Sequence, residues 1–374
     1  MSSPLDPQPR TVLHVRIASG AGGGPEKTIL NSPRHLAATR WRGLVAYLHP
    51  PGDPGFDVIR TRAEAKDCPL TGLPESLPID PRVLWRLLRL CKRERVDVWH
   101  GHDYKSNLYG VLLRPFHDFR LVTTVHGWVK HTSRTPLYYA IDRWTLPLHD
   151  QVVAVSSDLH AACLEADVEP ARLNLIENAI DTDEFRRTRP RRTAGRLRLG
   201  AVGRLSEEKG FDLLIRAVER LLDEGLELEL AIAGEGDQED ALRAQIAASP
   251  HAEHLELLGF RSDTLALFDS FDLFVLSSLR EGLPNVVLEA MSMELPILAT
   301  RSGGMETFSR DGDDALLCDP GSVDELADGL RRLVTDAPLR ERLAAGARAR
   351  VVADASFARR MDRMVEVYER LRLT

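Results

Sequence analysis

The 374-residue chain is poor in cysteine, in lysine and in long apolar runs. Its four cysteines (Cys68, Cys91, Cys163 and Cys318) lie so far apart that sequence neighbours can build no Cys-x-x-Cys or Cys/His metal spacing. That argues against a disulfide scaffold and leaves the thiols as reduced, incidental residues of a cytosolic protein. No apolar run approaches the ~20 residues that span a bilayer, and the segment Met1 to Arg10 is Pro-rich and polar where a secretory signal would need an apolar stretch. The expectation is a cytoplasmic location. A formal net charge of −7, from 49 basic and 56 acidic side chains, argues against a nucleic-acid partner. Six of the 49 basic residues are lysine, which leaves 43 arginines, so each lysine carries more information than usual. What is present is ordinary globular material, 43% hydrophobic and 28% charged, at a length that suggests two domains of about 150 residues or one large one.

Short β-branched or apolar runs alternate with amphipathic stretches throughout, the pattern of an α/β fold built from βα units around parallel sheets. The first series of strand-like runs is Thr11 to Ser19, Leu44 to Leu48, Asp97 to His100, Arg120 to Val125, Gln151 to Val155 and Asn174 to Ile176. The second is Leu197 to Val202, Leu226 to Ala233, His254 to Leu258, Leu273 to Leu276, Pro296 to Ala299 and Ala315 to Cys318. Between them, Phe185 to Gly195 is arginine-rich without an apolar period and reads as a solvated linker. The expected domains are therefore 1–183 and 184–356. Divided at residue 182, the charge is +2 in the first part and −9 in the second. In the tail, Phe357, Met361, Met364, Val365, Tyr368 and Leu371 share one helical face, so this helix must dock on another part of the chain.

Four segments can carry chemistry. After the first strand, Ser19 to Thr28 contains Gly20, Gly22, Gly23, Gly24 and Lys27 and leads into a helix, whose amino terminus suits an anion. A dinucleotide fingerprint fails there because Pro25 stands where its third glycine would be; a tight turn and a ligand loop stay open. Glu281-Gly282-Leu283-Pro284-Asn285-Val286-Val287-Leu288-Glu289-Ala290-Met291 follows an apolar strand, and Pro284 suits a first helical turn. Amides of Gly282 to Asn285 can take a phosphate, while Glu281 and Glu289 can accept hydrogen bonds from sugar hydroxyls. A merely acidic helix start is the plainer alternative. Gly203-Arg204-Leu205-Ser206-Glu207-Glu208-Lys209-Gly210 places a guanidinium fork and the only lysine after residue 130 between a strand and a helix. A surface turn is its alternative. Finally, His126 and the run His100-Gly101-His102-Asp103-Tyr104-Lys105 end strands at the sheet edge where α/β folds place ligands, although a single histidine is more often structural.

Four other signals carry less weight. Asp181-Thr182-Asp183 has the form used by metal-dependent transferases but lies by the linker, and Asp311 to Asp314 reads as a turn because it lacks calcium-loop positions. His100, His102 and Asp103 could hold a metal, on weak spacing. Between Pro81 and Arg95, Arg82, Arg86, Arg89 and Arg93 form one helical stripe, either a solvated face or a membrane-surface contact.

Taken together, Gly22-Gly23, Thr124-Val125-His126-Gly127, Ala154-Val155-Ser156, Glu177-Asn178-Ala179-Ile180-Asp181, Gly203-Arg204-Leu205 with Lys209-Gly210, Gly234-Glu235-Gly236 and Glu281 to Met291 resemble a retaining glycosyltransferase of the family 4 (group 1) type. The resemblance implies the GT-B fold, two Rossmann-like domains facing across a cleft, with the C-terminal helix of 357–374 crossing back onto the first. It implies a nucleotide sugar, a UDP-sugar by expectation, held mainly by the second domain. Arg204 and Lys209 match the family's diphosphate ligands, Glu289 its ribose ligand, and Glu281 with Gly282, Leu283, Pro284 and Asn285 its donor-sugar and phosphate contacts. His126 matches its active-site histidine near the transferred sugar. Ala179 departs from the family's usual glycine, at a turn. Acceptor recognition is expected around Gly22, Gly23, Lys27, His102 and Lys105. These loops are basic, so the acceptor partner could be anionic or lipid-linked, as in cell-surface polysaccharide or glycolipid synthesis. No metal and no cofactor are expected, because cations and a helix terminus can stabilise a diphosphate leaving group. The rivals are a nucleotide-sugar epimerase, a sugar phosphorylase, which would need a pyridoxal phosphate lysine, and a non-catalytic sugar-nucleotide-binding subunit, which would be expected to have lost Glu281, Lys209 or His126.

Overall fold

The computed structural model describes residues 9–18, 24–127, 135–190 and 195–372. It divides into two compact units, residues 1–177 with 360–374 and residues 178–359. The first unit holds β1 (Arg10–Ile17), β2 (Trp41–His49), β3 (Leu70–Pro74), β4 (Val96–Gly101), β5 (Arg120–Val125), β6 (Gln151–Ala154) and β7 (Leu173–Leu175). They form one sheet in the order β3-β2-β1-β4-β5-β6-β7, and every pairing is parallel. The second unit holds β8 (Leu197–Val202), β9 (Leu228–Ala233), β10 (Leu255–Leu257), β11 (Leu273–Leu276), β12 (Ile297–Thr300) and β13 (Leu316–Cys318), ordered β10-β9-β8-β11-β12-β13 and again all parallel. Each is a doubly wound, Rossmann-like sheet.

The continuous apolar runs follow from this: a parallel sheet is covered on both faces, so side chains of both parities must be buried. In β11, Leu273 and Val275 join the core on one face and Phe274 and Leu276 the core on the other. The helices Phe211–Asp223 and Val323–Thr335 close the first face, and Asn285–Ser292 and Ala337–Asp354 the second. The first unit does the same with Leu13 and Val15 against the helix Pro81–Glu94 and Val45 and Tyr47 against the helices Gly24–Leu36 and Pro54–Glu64.

Strand order reverses between β1 and β4 in one unit and between β8 and β11 in the other. A crevice opens at the carboxyl ends of the strands at such a switch point, because the two flanking connections leave toward opposite faces. Among the described residues, the segments after β4, β8 and β11 read from sequence as chemical lie at these two places.

Several readings need correction. β3 was missed: it is a five-residue edge strand containing Gly72 and ending at Pro74, both poor strand signals. The stretch after Phe185 is not a free linker over 185–190. Phe185 is buried, its carbonyl accepts from Ser292 Oγ at 2.6 Å, Thr188 Oγ1 donates to Asp269 Oδ2 at 2.7 Å and Arg187 Nη1 to the Phe271 carbonyl at 3.2 Å. On the tail helix, Phe357–Glu369, Val367 is buried where Val365 was expected. Tyr368 and Glu369 attach that helix to the first unit, through His100 at 2.7 Å and Trp41 Nε1 at 2.7 Å. Asp181 accepts from the Asp183 and Glu184 amides as a local turn, and Gly312 makes a left-handed turn within Asp311 to Asp314, so both acidic runs have structural roles.

Candidate functional site

In the second unit, β8 leaves the sheet at Val202 and the chain turns through Gly203 to Ser206 into a 3-10 turn, Glu207–Lys209. The loop after β9 passes directly against it. Gly203 N–H donates to the Ala233 carbonyl at 3.0 Å and Leu205 N–H to that of Glu235 at 2.9 Å. A Cβ on Gly234, whose φ is +152°, would stand 1.8 Å from the Gly203 carbonyl oxygen, so the motif Gly234-Glu235-Gly236 is what allows the two loops to meet.

The loop leaving β11 is fastened to the same turn. Ser277 Oγ donates to the Lys209 carbonyl at 2.8 Å, and Leu279 N–H to that of Glu208 at 2.8 Å. On its other side it rests on Gly303 and Gly304: a Cβ at Gly304 would lie 2.4 Å from the Leu283 nitrogen. Sequence reasoning missed this pair; the glycine doublet just beyond β12, at the same sheet edge, was the available signal. The result is that Lys209 Nζ sits 2.7 and 2.8 Å from the two carboxylate oxygens of Glu281, 72 residues away in sequence. Both side chains are largely buried, at 13% and 19% exposure, yet remain reachable.

The helix Asn285–Ser292 starts here with Pro284 as its amino-terminal cap, and no side chain caps its first amides. A cation, a carboxylate and an uncapped helix terminus thus meet at one switch point, a combination suited to a multiply charged anion joined to a hydroxylated group. Arg204, on the same loop, is half-exposed and donates to Glu208 at 2.9 Å. Glu289 lies one turn into the helix and is buried.

In the first unit the switch point is lined by imidazoles. Parallel register sets His14 of β1 beside His100 of β4. Side chains alternate along a strand, so His102, two residues on, falls on the same face, and β5 delivers His126 at its exit. His14 Nδ1 lies 3.0 Å from His102 Nε2, and His102 Nδ1 3.1 Å from His126 Nε2. His100 bonds the Tyr368 hydroxyl at 2.7 Å and the Thr124 hydroxyl at 2.8 Å. Burial, which penalises the imidazolium, holds all four rings below the ordinary histidine range, His14 down to about 3. The charges of Arg16 and Arg360 depress His126 further.

These positions correct parts of the sequence reading. His102 is buried inside the imidazole row, where a loop contact had been expected. Lys105 is buried in the first turn of the helix Tyr104–Leu113, its ammonium bound to Glu75, so packing accounts for it. Asp103 caps that helix by accepting from the Lys105 and Ser106 amides at 3.0 and 2.9 Å, so it is no partner of the histidines in a metal set. Lys27 lies in the first turn of the helix Gly24–Leu36, while Gly22 and Gly23 fall outside the described residues. His14 was not singled out from sequence.

Two family models match the chain: Glycosyltransferase Family 4 over residues 22–184 and Glycosyl transferases group 1 over residues 183–350. A glycogen synthase of Mycobacterium tuberculosis is 30% identical over 291 residues, 73% of this chain and 69% of that protein. The Escherichia coli UDP-Gal:alpha-D-GlcNAc-diphosphoundecaprenol alpha-1,3-galactosyltransferase is 25% identical over 314 residues, 78% of this chain and 80% of that one. Among solved structures, HepE of Anabaena in complex with UDP and glucose superposes with a TM-score of 0.79 at 20% identity, covering 96% of this chain and 99% of that chain. The paired sheets, the loops at their switch points and these matches agree: the chain is an enzyme of the group 1, family 4 glycosyltransferases, with the GT-B fold.

Proposed function

We propose that the protein transfers a sugar from a UDP-sugar to a hydroxyl acceptor, with retention of configuration and without a metal. The observation that carries this reading is the meeting of Lys209 and Glu281 beside the uncapped amides of the helix Asn285–Ser292. Breaking the bond from the sugar's anomeric carbon to the diphosphate leaves positive charge on the sugar and negative charge on the departing phosphate. Lys209, Arg204 and the helix amides lie where that anion would be held, and such preorganised charge is the main requirement of the step. The acceptor oxygen forms its bond on the face from which the phosphate leaves, and its proton passes to the departing phosphate oxygen. Atoms and charge then balance with no separate base. Glu281, drawn to Lys209 in the free protein, can accept hydrogen bonds from the donor sugar, and His126 stands at the first unit's own switch point.

An acceptor of the kind found in cell-surface polysaccharide or glycolipid synthesis suits an exposed arginine stripe on the helix Pro81–Glu94, where Arg89 covers the exposed Trp85 ring at 4.6 Å. Among the described residues no helix is long and apolar enough to cross a membrane. The test is a panel of nucleotide sugars assayed for transfer and hydrolysis, with the product's anomeric configuration read by NMR coupling. Retained configuration and turnover unchanged by EDTA are expected. An inverted product, or activity lost to EDTA and restored by Mg²⁺ or Mn²⁺, would overturn the respective part.

A further inference from the structure

The row of imidazoles has a direction. His126 Nε2 meets His102 Nδ1, His102 Nε2 meets His14 Nδ1, and His14 Nε2, at the buried end, has no partner among the described residues. A neutral imidazole carries one N–H and one lone pair, so the row admits two registers. In one, every ring donates toward the buried end and His14 is left with an orphaned N–H. In the other, every ring donates toward His126 and His14 is left with an orphaned lone pair. A buried N–H without an acceptor is the worse orphan. The buried Arg360 guanidinium acts electrostatically on His14 and opposes an imidazolium there.

We propose that His102 and His14 are positioning residues for His126: the row fixes His126 as a neutral ring with its proton on Nδ1, offered as a hydrogen-bond donor. This deepens the proposed transfer reaction and rests on it, since it assigns His126 the task of donating to a sugar oxygen of the bound donor. It also explains why a transferase whose leaving group takes the acceptor's proton would keep a histidine that cannot act as a base.

The surroundings hold this state. Arg16, from β1, donates to the His102 carbonyl at 3.0 Å and is itself paired with Glu26 at 2.7 Å, with the Asp103 carboxylate close by. Arg360 and the Tyr368 hydroxyl face the row from the tail helix, and His100 packs against both His14 and His102, with ring centroids 4.9 and 4.4 Å away. His149 acts on His100 from the segment before β6. No carboxylate bonds any ring of the row among the described residues, so nothing there stabilises an imidazolium. A metal held by His14, His100 and His102 is the rival, since their nitrogens lie within 4.8 Å of one another. Both nitrogens of His100 are engaged by hydroxyls, and His14 Nδ1 and His102 Nε2 are engaged with each other, where a shared ion would need these lone pairs to converge on it.

Long-range ¹H–¹⁵N correlation on the full chain labelled with ¹⁵N-histidine reads the tautomer directly. His126 is expected to carry its proton on Nδ1 and to stay neutral at pH 6; a proton on Nε2, or an imidazolium at that pH, overturns the proposal. So does a stoichiometric metal found in the purified protein. In kinetics with whichever of UDP-glucose, UDP-galactose and UDP-N-acetylglucosamine turns over, His102→Phe is expected to lower kcat at least tenfold with donor KM within twofold. It should also add an acid limb near an ordinary imidazole value of about 6.5. His102→Gln, whose amide keeps one acceptor and one donor, should recover kcat to within threefold. An unchanged kcat and pH profile in His102→Phe overturns the proposal. Should that variant not fold, His14→Leu tests the far end: mixed His126 tautomers are expected, and a single unchanged tautomer refutes the relay. Full activity in His126→Ala would overturn the active-site role of His126 and leave the tautomer measurement standing, so the two failures are distinguishable.

Discussion

The two units solve the same topological problem with opposite electrostatics. At the β1/β4 switch point four histidines are packed together, and burial opposes their protonation; at the β8/β11 switch point a lysine and a glutamate form a largely buried but reachable ion pair. The difference shows what each site can exchange with a ligand. A charged pair at 2.7 Å can be re-partitioned when a diphosphate arrives, because Lys209 can turn part of its hydrogen bonding toward phosphate. A neutral imidazole row carries no charge to trade and offers direction instead. Orientation on one side and charge on the other is the division of labour that a sugar transfer requires.

Acid should break this comparison most strongly. A buried histidine with a depressed pKa binds its proton in the unfolded chain first, so stability is fully present above about 6.5 and falls as pH drops toward the folded-state value. His14, brought to about 3, and His149, brought to about 4, both span that window, and both lie in the first unit. Each contributes a slope of about 1.4 kcal/mol per pH unit, so two units of acidification remove about 5 kcal/mol, comparable to the whole stability of a typical domain. All five tryptophans precede residue 145, so intrinsic fluorescence reports the first unit. Its melting transition should fall steeply below pH 6.5 while hydrogen exchange in β8 to β13 changes little. Equal acid sensitivity in both units would refute the contrast.

Lys209→Met attacks the charged side. On the proposed role of Lys209, the variant should lose a charge-assisted hydrogen bond of about 1.5–3 kcal/mol to the diphosphate, or roughly 10- to 150-fold in kcat/KM for the donor. It also leaves the Glu281 carboxylate without its cation. Combining it with Glu281→Gln should give less than the product of the two single effects, since the residues share one interaction. Strict multiplicativity would show that the pair does not act as one.

How much of this was legible in sequence follows from range. Lys209 stood out because lysine is scarce, and Glu281 because it opens an eleven-residue string at a strand exit; both signals are local. The chemistry that depended on register and on contacts distant in sequence was hidden. His14 lies in an ordinary apolar strand, and only its pairing opposite His100 turns a His-x-His fragment into a row. The Lys105–Glu75 pair joins a helix start to an edge strand's exit that composition did not reveal, so the lysine looked like a ligand group. Gly303 and Gly304 likewise act on a loop twenty residues away, through backbone contact that no local pattern encodes. Gly304→Ala tests that contact: the added Cβ, 2.4 Å from the Leu283 nitrogen, should cost about 1–3 kcal/mol and raise donor KM while the imidazole tautomers stay as they are. A shift in both units' spectra would refute the independence of the two switch points.

The mildest expected change sharpens the charged side from within. Arg204 and Lys209 share one loop, yet Lys209 is enclosed and Arg204 is 49% exposed, bound to Glu208 four residues on. An exposed pair at that spacing contributes about 0.3–0.5 kcal/mol, so Arg204→Ala should leave the melting temperature nearly unchanged. Its guanidinium is free to swing from Glu208 to a phosphate, however, so donor kcat/KM should still fall, toward the lower, roughly tenfold end of the range for a charge-assisted bond. Glu208→Gln provides the counter-test: with its competitor neutralised, Arg204 should bind the donor as well as before or better, most visibly at low ionic strength, where exposed charges are least screened. Loss of donor affinity in Glu208→Gln would mean that the Arg204–Glu208 pair is itself the binding element, and that both cations of this loop, not Lys209 alone, work through a carboxylate partner.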